Sequence, residues 1–136
     1  MATKLDATEK SELHKVNVHL CPKYEKAASI LGKRWTGLIL YALMDGPFRF
    51  NELLSIVKRS NEPFNMAKPV SDRLLTERLR ELEKEGLVER IVYPESPVRI
   101  EYKLTPKGMS MRTVVDAIQQ WAEEWIPLDS VTDSED

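Results

Sequence analysis

The sequence predicts an α+β domain that is mostly helical, and three observations carry that prediction. Apolar residues recur at helical spacing in successive segments between residues 24 and 82. Two runs rich in β-branched and aromatic residues, VERIVY (88–93) and VRIEYKL (98–104), flank the turn Pro94-Glu95-Ser96-Pro97. Thr105-Pro106 then opens another helix, with threonine as N-cap and proline at the first helical position. A chain of 136 residues, 42% hydrophobic and 31% charged, is long enough for one domain with its own core and too short for two ordinary ones.

Element by element, residues 1–20 are polar and mixed in charge, and are expected to form an arm that orders only against something else. Cys21-Pro22 is expected to start a helix with Cys21 as N-cap; Tyr24, Ala27, Ala28, Ile30 and Leu31 give its apolar face, and Gly32 stops it. Residues 34–44 (RWTGLILYALM) are almost uniformly apolar, which predicts a core helix ended by Asp45-Gly46-Pro47. Phe50, Leu53, Leu54 and Val57 fall at i, i+3, i+4 and i+7, one face of a short helix. Residues 59–70, with two prolines and two asparagines, read as a loop. Ser71 caps a long amphipathic helix running to about Glu85, with Gly86 as its stop. After the hairpin, the last helix is expected to continue from Thr105 to about Ile126, before Pro127, and residues 128–136 to form a disordered acidic tail. Three helices followed by a two-stranded hairpin is the winged helix-turn-helix plan, within residues 21–126.

The net charge of −2 argues against nucleic acid only until it is divided along the chain. Residues 49–112 carry thirteen basic and ten acidic residues, whereas residues 113–136 carry seven acids and no base. The acidity is therefore terminal, and the proposed reading region is mildly basic. No apolar run approaches the ~18 residues of a membrane span, and the first residues lack a leader's apolar stretch, which predicts a cytoplasmic protein without a membrane partner. The single cysteine excludes an intramolecular disulfide and a multi-cysteine zinc site. His14 and His19 beside Cys21 offer no fixed fourth ligand, so no metal and no cofactor is expected. No phosphate-cradling glycine loop, H-E-x-x-H or G-x-S-x-G is present, so no enzyme is expected.

On a helical wheel with Leu75 at about 0°, Leu79 and Leu82 fall within about 40° of it. Thr76, Arg80, Arg73, Lys84 and Glu77 fall on the far side, between about 100° and 200°. Ser71, Arg73, Thr76 and Glu77 suit base edges at the N-terminal end, while Arg80 and Lys84 suit phosphates. Arg99, just past the hairpin tip, is placed to enter a minor groove or clamp a phosphate. The plainer alternative for each is an ordinary solvated charge with i,i+3 or i,i+4 pairing.

Residues 21–125 resemble the HxlR-type regulators, a winged-helix family related to MarR. Cys21-Pro22 carries the resemblance together with four strings: G-K-R-W-T-G-L-I-L (32–40), L-x-D-G-P-x-R-F-N-E-L (43–53), L-T-E-R-L-R-E-L-E-K-E-G-L-V (75–88) and Y-P-E-S-P-V-R-I-E-Y-K-L-T-P-K-G (93–108). The resemblance implies a homodimeric transcription factor that binds double-stranded DNA at an inverted repeat and pairs through its N- and C-terminal helices. Met111, Val114, Val115, Ile118, Trp121, Ala122 and Trp125 form a broad apolar stripe that suits such an interface. Residues 61–68 depart from the family by lengthening the turn before the reading helix; a tolerated surface insertion and a contact element are both open.

Several family members sense oxidants or electrophiles at the matching Cys-Pro position. Cys21, at a helix start with Lys23 and Lys26 nearby, has the environment that favours thiolate. A buried thiol acting as a small hydrophobe is the alternative, and aromatic pockets between subunits are open to a small effector. Two functions thus stand against each other: a sequence-specific DNA-binding regulator, and a winged helix whose basic face docks an acidic protein.

Overall fold

The computed structural model describes residues 19–61 and 69–131. The elements in order are α1 (Tyr24–Leu31), α2 (Thr36–Leu43), β1 (Phe48–Arg49), α3 (Phe50–Asn61), α4 (Asp72–Lys84), β2 (Val88–Tyr93), β3 (Arg99–Leu104), α5 (Pro106–Met109), α6 (Arg112–Trp125) and a 3-10 turn (Leu128–Ser130). Packing divides the chain into residues 1–30 and residues 31–136. Residues 1–18, most of the predicted arm, lie outside the described residues.

In the first unit the helix begins later than its sequence suggests. The Tyr24 N–H donates to the Cys21 carbonyl at 2.8 Å, closing a three-residue turn, and only at Ala27, whose N–H donates to the Lys23 carbonyl at 3.1 Å, does the four-residue ladder start. Lys23 therefore occupies the cap position and Cys21 precedes it, a correction to the expected cysteine cap. The tighter opening turn takes the Cys21 carbonyl before the α-helix proper begins.

The core of the second unit is built by α2, α3 and α4. Ile39, Leu40, Leu53, Val57, Leu75, Leu79 and Leu82 are buried, each contributing about 1.5–3 kcal/mol of hydrophobic stabilisation. α2 starts at Thr36 rather than at residue 34, because Trp35 adopts the left-handed conformation (φ 77°, ψ −18°). α3 continues through residue 61, past the start of the predicted loop, and the Ser60 hydroxyl donates to the Ile56 carbonyl at 2.8 Å. Nothing in Arg59-Ser60-Asn61 breaks a helix, and Lys58 and Arg59 suit its C-terminal end. Most of the proposed insertion lies outside the described residues, which resume at residue 69.

α4 matches its sequence signals. The Ser71 Oγ accepts the Leu74 N–H at 3.1 Å, and Gly86 (φ 76°) supplies the left-handed stop. The Leu87 N–H returns to the Leu82 carbonyl and the Gly86 N–H to the Glu83 carbonyl, a Schellman ending with both leucines buried.

The sheet has three antiparallel strands in the order β1-β3-β2, not two. The extra strand is the two-residue β1, which places Phe48 opposite Tyr102 and Arg49 opposite Glu101. In the hairpin, Val88 faces Leu104, Arg90 faces Tyr102, Ile91 faces Glu101 and Tyr93 faces Arg99.

The expected single terminal helix is broken at Ser110-Met111. Thr105 does cap α5, its Oγ1 accepting the Gly108 N–H at 3.1 Å and donating to the Gly86 carbonyl. Gly108 sits so close to the Leu87 carbonyl that any Cβ would collide with it. That contact pins α5 to the entry of β2, so the chain turns before α6 can run on. Residues 128–130 form a 3-10 turn where a disordered tail was expected, and residues 132–136 lie outside the described residues.

Candidate nucleic-acid interface

Burial of Leu75, Leu79 and Leu82 turns the opposite side of α4 to solvent. Ser71 is exposed, and its hydroxyl proton stays available while the oxygen caps the helix. The Arg73 side chain is 91% exposed and its Nε lies 3.3 Å from Glu77 Oε1, an exposed i,i+4 pair of about 0.3–0.5 kcal/mol. The Thr76 hydroxyl donates back to the Asp72 carbonyl at 2.8 Å, which commits its proton. Arg80 and Lys84 are exposed and hold no ion pair among the described residues. Five of the six expected helix positions are thus exposed, with Thr76 half-buried.

Arg78, which the wheel leaves unassigned, points inward. Its Nε donates to the Arg34 carbonyl at 2.9 Å and its Nη1 lies 3.2 Å from Glu81 Oε1. Glu81 Oε2 accepts from Lys33 Nζ at 3.0 Å. These contacts tie α4 to the turn before α2. The signal was present in sequence: at about 300° on the wheel, Arg78 borders the leucine stripe rather than the solvent face.

The wing differs from its expectation. Arg99 lies with its guanidinium 3.9 Å from the centre of the Tyr93 ring, its Nη2 3.2 Å from Glu95 and its Nη1 3.5 Å from Glu101. Its Nε is buried and has no hydrogen-bond partner among the described residues. Tyr93, Arg99 and Glu101 share one face of the hairpin because facing and alternate strand residues point the same way. The Tyr93 hydroxyl donates to Glu101, and this bond, with burial and the Glu101 charge, raises the phenol above its ordinary 10.0. A phosphate contact from Arg99 would have to displace two carboxylates. The wing cation that sequence reasoning passed over is Arg90, on the other face of the hairpin, exposed and unpaired among the described residues.

α6 carries the apolar stripe. Met111, Val115 and Ala122 are half-buried, while Val114, Ile118, Trp121 and Trp125 are exposed, the two tryptophans at 60% and 65%. Ile126 and Leu128 extend the exposed apolar surface. Cys21 is a free, exposed thiol. Among the described residues, no three His, Cys, Asp or Glu side chains are grouped to hold a metal, and no helix is long and apolar enough to cross a membrane.

Residues 30–130 match the family described as HxlR-like helix-turn-helix. YvaP of Bacillus subtilis, described as an uncharacterized HTH-type transcriptional regulator, is 46% identical over 107 residues, which span 79% of this chain and 90% of YvaP. The HTH-type transcriptional regulator YodB of Bacillus subtilis is 44% identical over 117 residues, 85% of this chain and 96% of YodB. The structure of reduced YodB superposes with a TM-score of 0.63 at 45% identity, covering 79% of this chain and 96% of that one. YodB structures also exist in diamide-treated and quinone-bound forms, with TM-scores of 0.63 and 0.59, 44% and 42% identity, and coverage of 81% and 78% of this chain and 99% and 100% of theirs. The chain therefore belongs to the HxlR-type helix-turn-helix transcriptional regulators, and it is a DNA-binding regulator rather than an enzyme.

Proposed function

We propose that the chain works in the cytoplasm as a homodimer that reads an inverted repeat in double-stranded DNA and releases it when Cys21 reacts with an oxidant or electrophile. The observation that carries this reading is the pairing of two surfaces: the outward face of α4, with Arg80 and Lys84 unpaired among the described residues, and the exposed apolar stripe of α6. A soluble monomer rarely leaves so large an apolar stripe in water, which supports its burial against a second copy. Two copies then present two reading helices, and Ser71, Arg73, Thr76 and Glu77 take base edges while Arg80 and Lys84 take phosphates. Arg99 serves by shaping the wing, and Arg90 supplies the wing's phosphate contact.

Sensing at Cys21 is supported by the exposed thiol and by the diamide-treated and quinone-bound states of YodB. Diamide takes two electrons from two thiols. With one cysteine per chain, the disulfide joins either two subunits or one subunit and a small thiol. With a quinone, the thiolate sulfur instead adds to a ring carbon: a C–S bond forms as the ring C=C opens, and proton transfer leaves a hydroquinone thioether on the cysteine. Wild type and Cys21→Ser are compared on duplexes selected from a randomised pool, by mobility shift with and without diamide. Two half-sites spaced by about one helical turn should bind far more tightly than one. Diamide should release wild type and leave Cys21→Ser bound; release of both variants alike overturns the sensing role, and equal weak binding to every duplex overturns specific reading.

A further inference from the structure

The leucine stripe alone does not fix how α4 is rotated about its axis. Apolar contact is non-directional, so Leu75, Leu79 and Leu82 hold the helix against the core while tolerating small rolls and slides. Reading a base edge is stricter, since side chains must be held to within about 0.5 Å and 10–20°. Directional contacts have to supply that constraint, and the underside of α4 carries one set.

Arg78 reaches away from the reading face with only 16% of its side chain exposed. Its Nε–H meets the Arg34 carbonyl at 2.9 Å, and its Nη1 and Lys33 Nζ grip the two oxygens of Glu81 at 3.2 and 3.0 Å. The acceptor is itself fixed. Arg34 precedes Trp35, whose left-handed backbone is one that a bulky residue holds only when its surroundings over-determine it, and whose side chain is buried. The Arg34 guanidinium lies 4.9 Å from the Trp35 ring centre, and the Thr36 N–H closes the turn on the Lys33 carbonyl at 3.2 Å. A planar guanidinium fork bonded to a rigid carbonyl and to a carboxylate has one preferred orientation.

We propose that Arg78, with Glu81 and Lys33, is a positioning clasp that sets the rotation of the reading helix on its leucine stripe, and thereby the sequence selectivity of the protein. The clasp also occupies Glu81, which stands three residues before Lys84 and would otherwise pair with that outward cation. The inference rests on α4 being the helix that reads DNA, so the test separates the two.

Wild type, Arg78→Leu and Arg78→Lys are compared in two ways. Amide residual dipolar couplings of the free protein report the orientation of α4 relative to α2. Dissociation constants on a duplex enriched by wild type from a randomised pool, and on its scrambled counterpart, report selectivity. Arg78→Leu should keep its fold, reorient α4 and lose about tenfold in selectivity, the size of one base contact. Its scrambled-duplex affinity and salt dependence should hold, because no outward cation is lost. Arg78→Lys, which keeps one bond to the Arg34 carbonyl, should recover part of both readouts, and it carries the comparison if the leucine variant fails to fold. An unchanged α4 orientation, or unchanged selectivity despite a changed orientation, overturns the clasp. A pool from which wild type enriches nothing, with α4 still reoriented in Arg78→Leu, overturns the reading of DNA and leaves the clasp standing.

Discussion

On α4, Arg80 and Lys84 stand in solvent with no acid paired to them among the described residues, whereas on the wing Arg99 is enclosed by Glu95, Glu101 and the Tyr93 ring. Both regions are rich in glutamate, so composition does not explain the difference. Spacing does. Arg80 and Lys84 each have a glutamate three residues earlier, but Glu77 pairs with Arg73 and Glu81 is held by Arg78 and Lys33. In the hairpin, the two-residue period puts Arg99 and Glu101 side by side on the face that also holds Tyr93. A helix can hold its acids away from its outward cations; a tight hairpin brings them together. The helix leaves Arg80 and Lys84 outward, whereas the wing engages Arg99 internally and leaves only its other face, with Arg90, to solvent among the described residues.

Leu79→Ala tests what the two regions share. The side chain is buried beneath α4, and its loss should cost about 2–5 kcal/mol of stability, read as a lower denaturant midpoint. Reading helix and wing should unfold together, because β2 follows directly from the Schellman turn whose Leu82 and Leu87 belong to the same core.

Arginine deletions then separate the regions. Arg80→Ala and Lys84→Ala should each weaken binding to all duplexes and lower the salt slope by about one, with little change in stability. Arg90→Ala should behave the same way. Arg99→Ala should do the reverse, leaving the salt slope alone and destabilising the hairpin by about 1 kcal/mol through loss of its ring contact and ion pairs. A full unit lost from the salt slope in Arg99→Ala would make it a phosphate contact and erase the distinction. Glu77→Gln should have a smaller effect: loss of about 0.3–0.5 kcal/mol of pairing, with Arg73 freed and scrambled-duplex affinity raised relative to the selected site.

What the sequence made legible follows the same division between local and long-range causes. The Ser71 cap, the Gly86 stop, the Thr105 cap and the hairpin are set by residues a few positions apart, and each stands where its local signal put it. β1 was illegible because two residues become a strand only by pairing with β3, some fifty residues on. The left-handed Trp35 was illegible for the opposite reason, since tryptophan disfavours that conformation and only burial and the surrounding turn impose it. The break at Ser110-Met111 arises from the contact of Gly108 with Leu87, which no pattern within residues 105–126 encodes. Arg99 stands between these cases. Its register with Tyr93 and Glu101 follows from the hairpin itself, so its pairing with Glu101 was deducible once the strands were paired.

The weakest expected effect is also the most local. The bond from Tyr93 to Glu101 favours the neutral phenol in the folded chain, raising it above 10.0, while the Arg99 charge pulls it back down. A group raised on folding contributes stability that is fully present below its unfolded value and lost as pH climbs through the folded one. Between neutral pH and 10.0 wild type should therefore exceed Tyr93→Phe by a constant margin, and the margin should close above 10.0 as phenolate forms beside the Glu101 carboxylate. Denaturant midpoints of the two proteins across that range measure this margin. Phenolate absorbance, taken as the difference between wild type and Tyr93→Phe, isolates the single titration. In an Arg99→Ala background the same difference should move to still higher pH, because a neighbouring cation that favours phenolate is gone. A Tyr93 titration that stays put when Arg99 is removed would mean that the wing arginine is not engaged with this ring in solution, and would return it to the solvent-facing class to which Arg80 and Lys84 belong.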